Sequence, residues 1–426
     1  MTRAVPTSRR NALKMLGGAP LLPLAASAAG GASFLFRTGP AFATPAVTSA
    51  SFVSMAAPTL DNAAAMATTS VGSSLSVTFS DGSQQSYALS YEPFFVTGAE
   101  VPDGKGGTLV AGGYYDINGK PILDDSSTEA QKPQFFSDCP DGFSLMKLDN
   151  AAVDGVQGNT LFAVVQFEYT SLNAAGGKMY GLLPSPIAVL TLDQDKSSGR
   201  LKLVKYSAVD TAAANGLWIT CGASLSPWNT HLSSEEYEPD ATVAENKQLA
   251  GFSQHLFGDP AKANPYHYGH LPEVTVNPDG TGCVTKHYCL GRISHELIQV
   301  MPDERTALMG DDATNGGLFM FVADKARALS SGTLYVAKWN QKTKENGGSA
   351  DLSWIKLGHA TSDQVKALAD SLKAADILDV KTEDPKDPSY IQIPYSGKPN
   401  WVKINSGQEL AAAFLETHRY AAVKGG

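Results

Sequence analysis

The stretch SPIAVLTLDQDKSSGRLKLVKYSAV, residues 185–209, decides the fold class. It reads as a strand, a polar turn and a second strand. The same unit recurs on both sides. SSLSVTFSDGSQQSYALSY (73–91) turns at Asp81-Gly82, and GFSLMKLDN (142–150) leads into GNTLFAVVQFEYTS (158–171). EVTVNPDGTGCVTKHYCLGR (273–292), ELIQVMPDERTALMGDD (296–312) and GGLFMFVADKARALSSGTLYVAKWN (316–340) follow. No strong helix separates these units. Strands at such short intervals predict a mainly β protein and favour a β-propeller, with a large sandwich as the alternative, over a parallel α/β sheet. No strict sequence period accompanies them, so the propeller reading rests on strand spacing alone.

Helical spacing takes over near the C-terminus. Thr361-Ser362-Asp363 predicts an N-cap for a helix through QVKALADSLKAADI (364–377), with Val365, Leu368, Leu372 and Ile377 as its apolar face. A second helix is expected through SGQELAAAFLETHRYAAVKGG (406–426), capped by Ser406. An extended arm or helix-like segment is expected over Pro58 to Ala67.

The N-terminus bears on compartment. Ser8-Arg9-Arg10-Asn11-Ala12-Leu13-Lys14 fits a twin-arginine export signal, and the weakly apolar run from Gly17 to Phe36 leads to the Ala41-Phe42-Ala43 cleavage pattern. Residues 1–43 therefore read as a leader and 44–426 as one domain. The expected partner is the twin-arginine export machinery, the expected location periplasmic or extracellular, with no membrane anchor after processing. That route carries folded proteins, often with metal already loaded, which favours a metal site. A net charge of −9 with no Lys/Arg block argues against a nucleic-acid surface and suits cation binding. Four cysteines, at 139, 221, 283 and 289, fix no disulfide pairing. Cys283 and Cys289 lie on one β-like run and read as buried thiols.

The chemistry concentrates in CGASLSPWNTHLSSEEYEPD, residues 221–240. Cys221 ends the apolar run GLWIT (216–220), a common place for a core cysteine, yet it opens into a carboxylate-bearing segment. Glu235 and Glu236 are adjacent, so on extended backbone they point to opposite sides; two neighbouring metals could use both. Glu168 ends a strand and faces either solvent or a cation. Further on stand His267, His270 and Glu273, then His295 beside Glu296, without the H-E-x-x-H spacing of a zinc helix; the histidines read as hydrogen-bonded structural groups. Asp311-Asp312 precede a Gly-rich turn suited to calcium, without EF-hand order.

Together these motifs resemble a family. Cys221 to Glu236, then YHYGHLPEV (266–274) with LGRISHE (290–296), then GDDATNGGLFMFV (310–322) are similar in order and spacing to the PhoX-type alkaline phosphatases. The resemblance runs from roughly residue 135 to the C-terminus. Where that family reads NHEYT, this chain has Gln166-Phe167-Glu168-Tyr169-Thr170. The resemblance implies a six-bladed propeller whose channel holds Fe³⁺ and Ca²⁺ and hydrolyses small phosphate monoesters. It implies Cys221 as a thiolate ligand of iron, with Glu235, Glu236, Glu296, Asp311 and Asp312 as metal ligands and Glu168 and Glu273 at further acidic positions. Such a donor mixture suits the two ions, since Fe³⁺ accepts sulfur and oxygen whereas Ca²⁺ takes oxygen. Thr230 is expected to position a ligand or substrate oxygen, and Trp228 to pack. Arg292 either forks a phosphate or pairs with a local carboxylate. Family members continue well beyond Gly426, so the ring is expected to be incomplete within this chain. Two other functions stay open: a secreted, calcium-stabilised propeller that binds without catalysis, and a calcium-dependent propeller lactonase, which needs carboxylates but no thiolate.

Overall fold

The computed structural model describes residues 45–426 except 58, 60, 63, 65–69 and 315. The leader expected over 1–43 and most of the helix-like segment expected over 58–67 lie outside the described residues. The described chain forms two units, one up to Pro93 and one from Phe94. In the first, β1 (Val47–Phe52), β2 (Ser70–Phe79) and β3 (Gln84–Ser90) make an antiparallel sheet in chain order. Its β2–β3 hairpin turns at Asp81-Gly82, where Gly82 takes φ +84° and the Asp81 carboxylate accepts the Ser83 N–H at 2.9 Å.

The second unit is mainly β, as the spacing predicts. A two-stranded ribbon, β4 (Glu100–Pro102) and β5 (Thr108–Val110), precedes three larger antiparallel meanders. The first holds β6 (Pro140–Met146), β7 (Asn159–Phe167), β8 (Ile187–Gln194) and β9 (Leu201–Ala208). The second holds β10 (Ser224–Leu225), β11 (His231–Leu232), β12 (Leu271–Val276) and β13 (Gly282–His287). The third holds β14 (His295–Val300), β15 (Thr306–Asp311), β16 (Phe319–Lys325), β17 (Ala328–Thr343) and β18 (Ser349–Thr361). A last sheet orders β19 (Leu378–Lys381), β21 (Lys398–Ile404) and β20 (Ile391–Tyr395). Among the described residues these sheets are separate and open.

The long apolar runs in β7 and β8 follow from burial of both sheet faces. Phe162, Val164, Ile187 and Val189 face one core, which also takes Val274 and Val276 of β12 and so joins the first two meanders. Their neighbours Ala163, Val165, Phe167, Ala188 and Leu190 alternate into a second core with Val101 and Tyr206. A third core, built on Phe319, Phe321 and Leu334, is closed by Phe414 and other C-terminal apolar residues. Truncating the fully buried Phe162 or Phe321 to Ala costs about 3–5 kcal/mol by the usual core scale.

Five α-helices lie wholly among the described residues. The strand reading passed over α1 (Lys247–Phe257), which is capped by the Asn246 side chain on the Leu249 N–H and ends at Gly258 in the left-handed region. At α2 (Ser362–Ser371) the expected cap is present, as a reciprocal box of Thr361 and Gln364. After α3 (Ala374–Ile377), the single terminal helix expected from the sequence is two, α4 (Glu409–Leu415) and α5 (Thr417–Val423), broken at Glu416. Gln408, not Ser406, precedes α4, and it makes no side-chain cap. All four cysteines are free; Cys289 is buried but Cys283 is exposed, because the turn Tyr288–Leu290 interrupts the strand alternation between them.

Candidate metal centre

The segment carrying Cys221 is fixed from beneath and from both sides. Trp218 packs on Phe252 of α1 and on Tyr268, with ring centroids 5.0 and 5.8 Å away. Ile219 then takes φ +24°, a strained setting for a β-branched residue, and its carbonyl accepts the Glu236 N–H at 3.0 Å. The Cys221 N–H donates to Ser234 Oγ at 3.3 Å, and the Cys221 carbonyl accepts the Gly142 N–H at 3.2 Å and the Gln166 side-chain amide. Gly222 is required by contact: a Cβ there would lie 2.5 Å from the Glu296 carbonyl oxygen. This close approach to β14 sets Cys221 Sγ 3.0 Å from Glu296 Oε2, and 3.9 Å from Asp141 Oδ2 on β6.

Donor atoms of Glu168, Cys221 and Glu236 lie within 4.8 Å of one another, and so do those of Glu236, Glu296 and Asp312. The two groups share Glu236. Tyr237, held at φ +46° with its N–H on Ser294 Oγ at 2.7 Å, donates its hydroxyl to Asp312 Oδ2. None of these carboxylates forms an ion pair with a Lys, Arg or His among the described residues. Burial, then the Glu168 carboxylate, push the Glu236 carboxyl up to about 9. Burial, then the Glu296 contact and the Glu236 charge, push the Cys221 thiol far up, and burial leads the rise at Asp141 and Glu168 as well. Acidic groups brought together around the buried Glu236 without countercharge are what a bound cation would neutralise, and one sulfur among carboxylates is a donor set that Fe³⁺ and Ca²⁺ can divide between them.

The other candidates have different environments. Glu235 points away from the cluster into a buried ion pair with Lys286 at 2.8 Å. Glu273 accepts from Trp228 Nε1 at 2.7 Å, Thr230 Oγ1 at 2.5 Å and His287 Nε2 at 2.7 Å, so both it and Thr230 are consumed in a network between β11, β12 and β13. Arg292, 4% exposed, spends its guanidinium on the carbonyls of Tyr268, Leu415 and Pro239 and can reach neither a phosphate nor a carboxylate of the cluster. Asp311 turns inward to His418 Nε2 at 2.8 Å, away from its neighbour Asp312. The histidines are structural: His267 meets Tyr288 and Asp370, His270 the Tyr266 carbonyl, and His295 the Gly291 carbonyl. Two members of the site, Asp141 and Tyr237, escaped the sequence reading. Asp141 stands in a Pro-Asp-Gly context that reads as a turn, and only the Cys221 contact reveals it.

These features define a mainly β protein of antiparallel meanders carrying a thiol–carboxylate cluster at the start of its sheets. Residues 197–405, just under half of the chain, match the family described as alkaline phosphatase PhoX, which supports the resemblance carried by the motifs. The match contains Cys221, Glu236, Glu296 and Asp312, whereas Asp141 and Glu168 precede it. Among curated proteins none matches. A crystal structure from Bacteroides uniformis, provisionally assigned as a 6-phosphogluconolactonase, aligns at 10% identity over 62% of this chain and 83% of that one, with a TM-score of 0.20. A likeness that slight carries no argument.

Proposed function

We propose that this chain is an exported, metal-dependent phosphatase acting on phosphate monoesters at the Cys221 cluster, within a propeller of the PhoX type. The carrying observation is the convergence of Cys221, Glu168, Glu236, Glu296 and Asp312 from distant segments, with no basic partner among the described residues. The propeller reading draws support from β6, β10 and β14, each the first strand of a meander, since Asp141 and Glu296 lie on two of them and Cys221 just before the third. Export draws on the twin-arginine pattern at Ser8 to Lys14.

Cys221, Glu168 and Glu236 would hold iron, and Glu236, Glu296 and Asp312 would hold calcium. Bound there, such cations supply Lewis-acid stabilisation of the charge that builds on a phosphoryl group under attack. The protein's own part is positional. Gln166, Gly142 and Ser234 fix the Cys221 backbone, Ser294 fixes Tyr237 and Asp312, and the Tyr237 hydroxyl orients one Asp312 oxygen. Two measurements on the purified chain test the reading together: its iron and calcium content by elemental analysis, and phosphate release from an aryl phosphate before and after chelation. Both metals with chelator-sensitive release support it. Calcium alone with no release points to a non-catalytic binding protein or a lactonase and overturns it.

A further inference from the structure

Glu235 is outside the cluster, yet it stands where the segments that build the cluster meet. Its Oε1 accepts the Trp218 N–H at 2.9 Å and pairs with Lys286 Nζ at 2.8 Å; its Oε2 accepts the N–H groups of Gly269 and His270, each at 3.0 Å. Its own carbonyl accepts the His295 N–H at 2.9 Å. Three of these positions adjoin cluster residues: Glu236 follows Glu235, Glu296 follows His295, and Cys221 lies three residues after Trp218. Lys286 is equally committed, donating to the Gly216 carbonyl at 3.1 Å and the His267 carbonyl at 2.9 Å, with side-chain exposures of 1% for Lys286 and 0% for Glu235.

Four donors saturate this carboxylate, so it has no lone pair to offer a cation. Stability alone does not account for it either, because buried ion pairs are often no more stabilising than apolar residues of the same volume. What the pair supplies is register: the Glu235 carboxylate and Lys286 hold the Gly216–Trp218 run that leads to Cys221 against Glu235, while the Glu235 carbonyl holds the start of β14, as groups behind a metal's ligands commonly do. We infer that Glu235 and Lys286 are positioning residues that set the mutual approach of Cys221, Glu236 and Glu296, so that cation affinity depends on a carboxylate that never touches the cation. The inference rests on reading the cluster as a metal site.

Cobalt(II) titration of the full chain tests it, read by the near-ultraviolet charge-transfer absorption of a thiolate on cobalt, with Cys221→Ala as the blank. The main variant is Glu235→Gln with Lys286→Met, which removes both charges at nearly constant volume; Glu235→Asp, which keeps the charge but withdraws it by one methylene, serves if the double variant does not fold. Circular dichroism and a thermal melt report the fold independently. The expected result is a band in the wild type that Cys221→Ala lacks, with about 10- to 100-fold weaker cobalt affinity and a weakened band in a variant of native circular dichroism. Wild-type affinity and an unchanged band in a folded variant overturn the positioning role while leaving the metal site standing. No band in the wild type overturns the metal-site reading itself, and the inference with it.

Discussion

Two regions of the second unit bury carboxylates side by side and treat them oppositely. Around α5, every buried acid is answered. His418 lies between Glu238 and Asp311 at 3.2 and 2.8 Å, and Arg419 joins Asp240 and Glu416 at 2.7 and 2.9 Å while stacking over the Tyr395 ring. Against the burial that would raise them, His418 holds the Glu238 carboxyl below its ordinary range and Arg419 does the same for Asp240. In return, and again against burial, Glu238 and then Asp311 raise the His418 imidazole to about 10. Around Cys221 the acids instead face one another, and burial drives the Glu236 carboxyl the other way, up to about 9. The number of acidic groups does not separate a structural network from a ligand-seeking site; the countercharge does.

The comparison can be broken most decisively at the sulfur. Cys221→Ala should remove iron and reduce phosphate release to background while the β-rich circular dichroism spectrum persists; retained iron would place the metal elsewhere. Arg419→Ala should do the reverse, lowering stability by about 3–5 kcal/mol in urea titration through the stranded Asp240 and Glu416, with metal content unchanged at permissive temperature. Chelation should cost about 2.7 kcal/mol relative to protein held at a hundred times the dissociation constant. A melting temperature indifferent to chelator would show that nothing bound there is linked to folding. Gly222→Ala should force the Cys221 turn off β14, costing about 1–3 kcal/mol and weakening metal retention, which elemental analysis after dialysis would show.

A further test concerns a third way of burying a titratable group. His231 hydrogen-bonds Ser144 and Gln166 at 2.8 and 2.9 Å with no acid against it, and burial lowers it to about 3. Its folded value lies below the ordinary 6.5, so its contribution is present above that pH and is lost as pH falls towards 3. Urea midpoints should decline across that interval, and His231→Asn should flatten the decline.

The mainly β character was legible because its signal is local. The apolar run Ile187–Gln194, the polar turn and the strand Leu201–Ala208 form a hairpin signal contained in about two dozen consecutive residues. The Thr361–Gln364 box is equally local. The helix α1 carries comparable local signals, a cap at Asn246 and Gly258 after its last turn, set among strand-forming segments. Motif order also singled out segments that meet in space, those bearing Cys221, Glu236, Glu296 and Asp312.

Which member of each acidic pair faces the cluster was not in the sequence. Glu235 and Glu236 are chemically alike and, on extended backbone, point to opposite sides, so the chain states only that they part. Lys286 settles the matter by taking Glu235, as His418 does by taking Asp311 and leaving Asp312 to the site. Arg292 and Thr230 were likewise drawn away by carbonyls and a carboxylate supplied from other segments. By itself the sequence determined the strands, their turns and the stock of sulfur and oxygen donors, because these depend on backbone geometry and residue chemistry. Tertiary structure alone decided which donors were neutralised and which were left facing one another, because electrostatic pairing depends on distance in space.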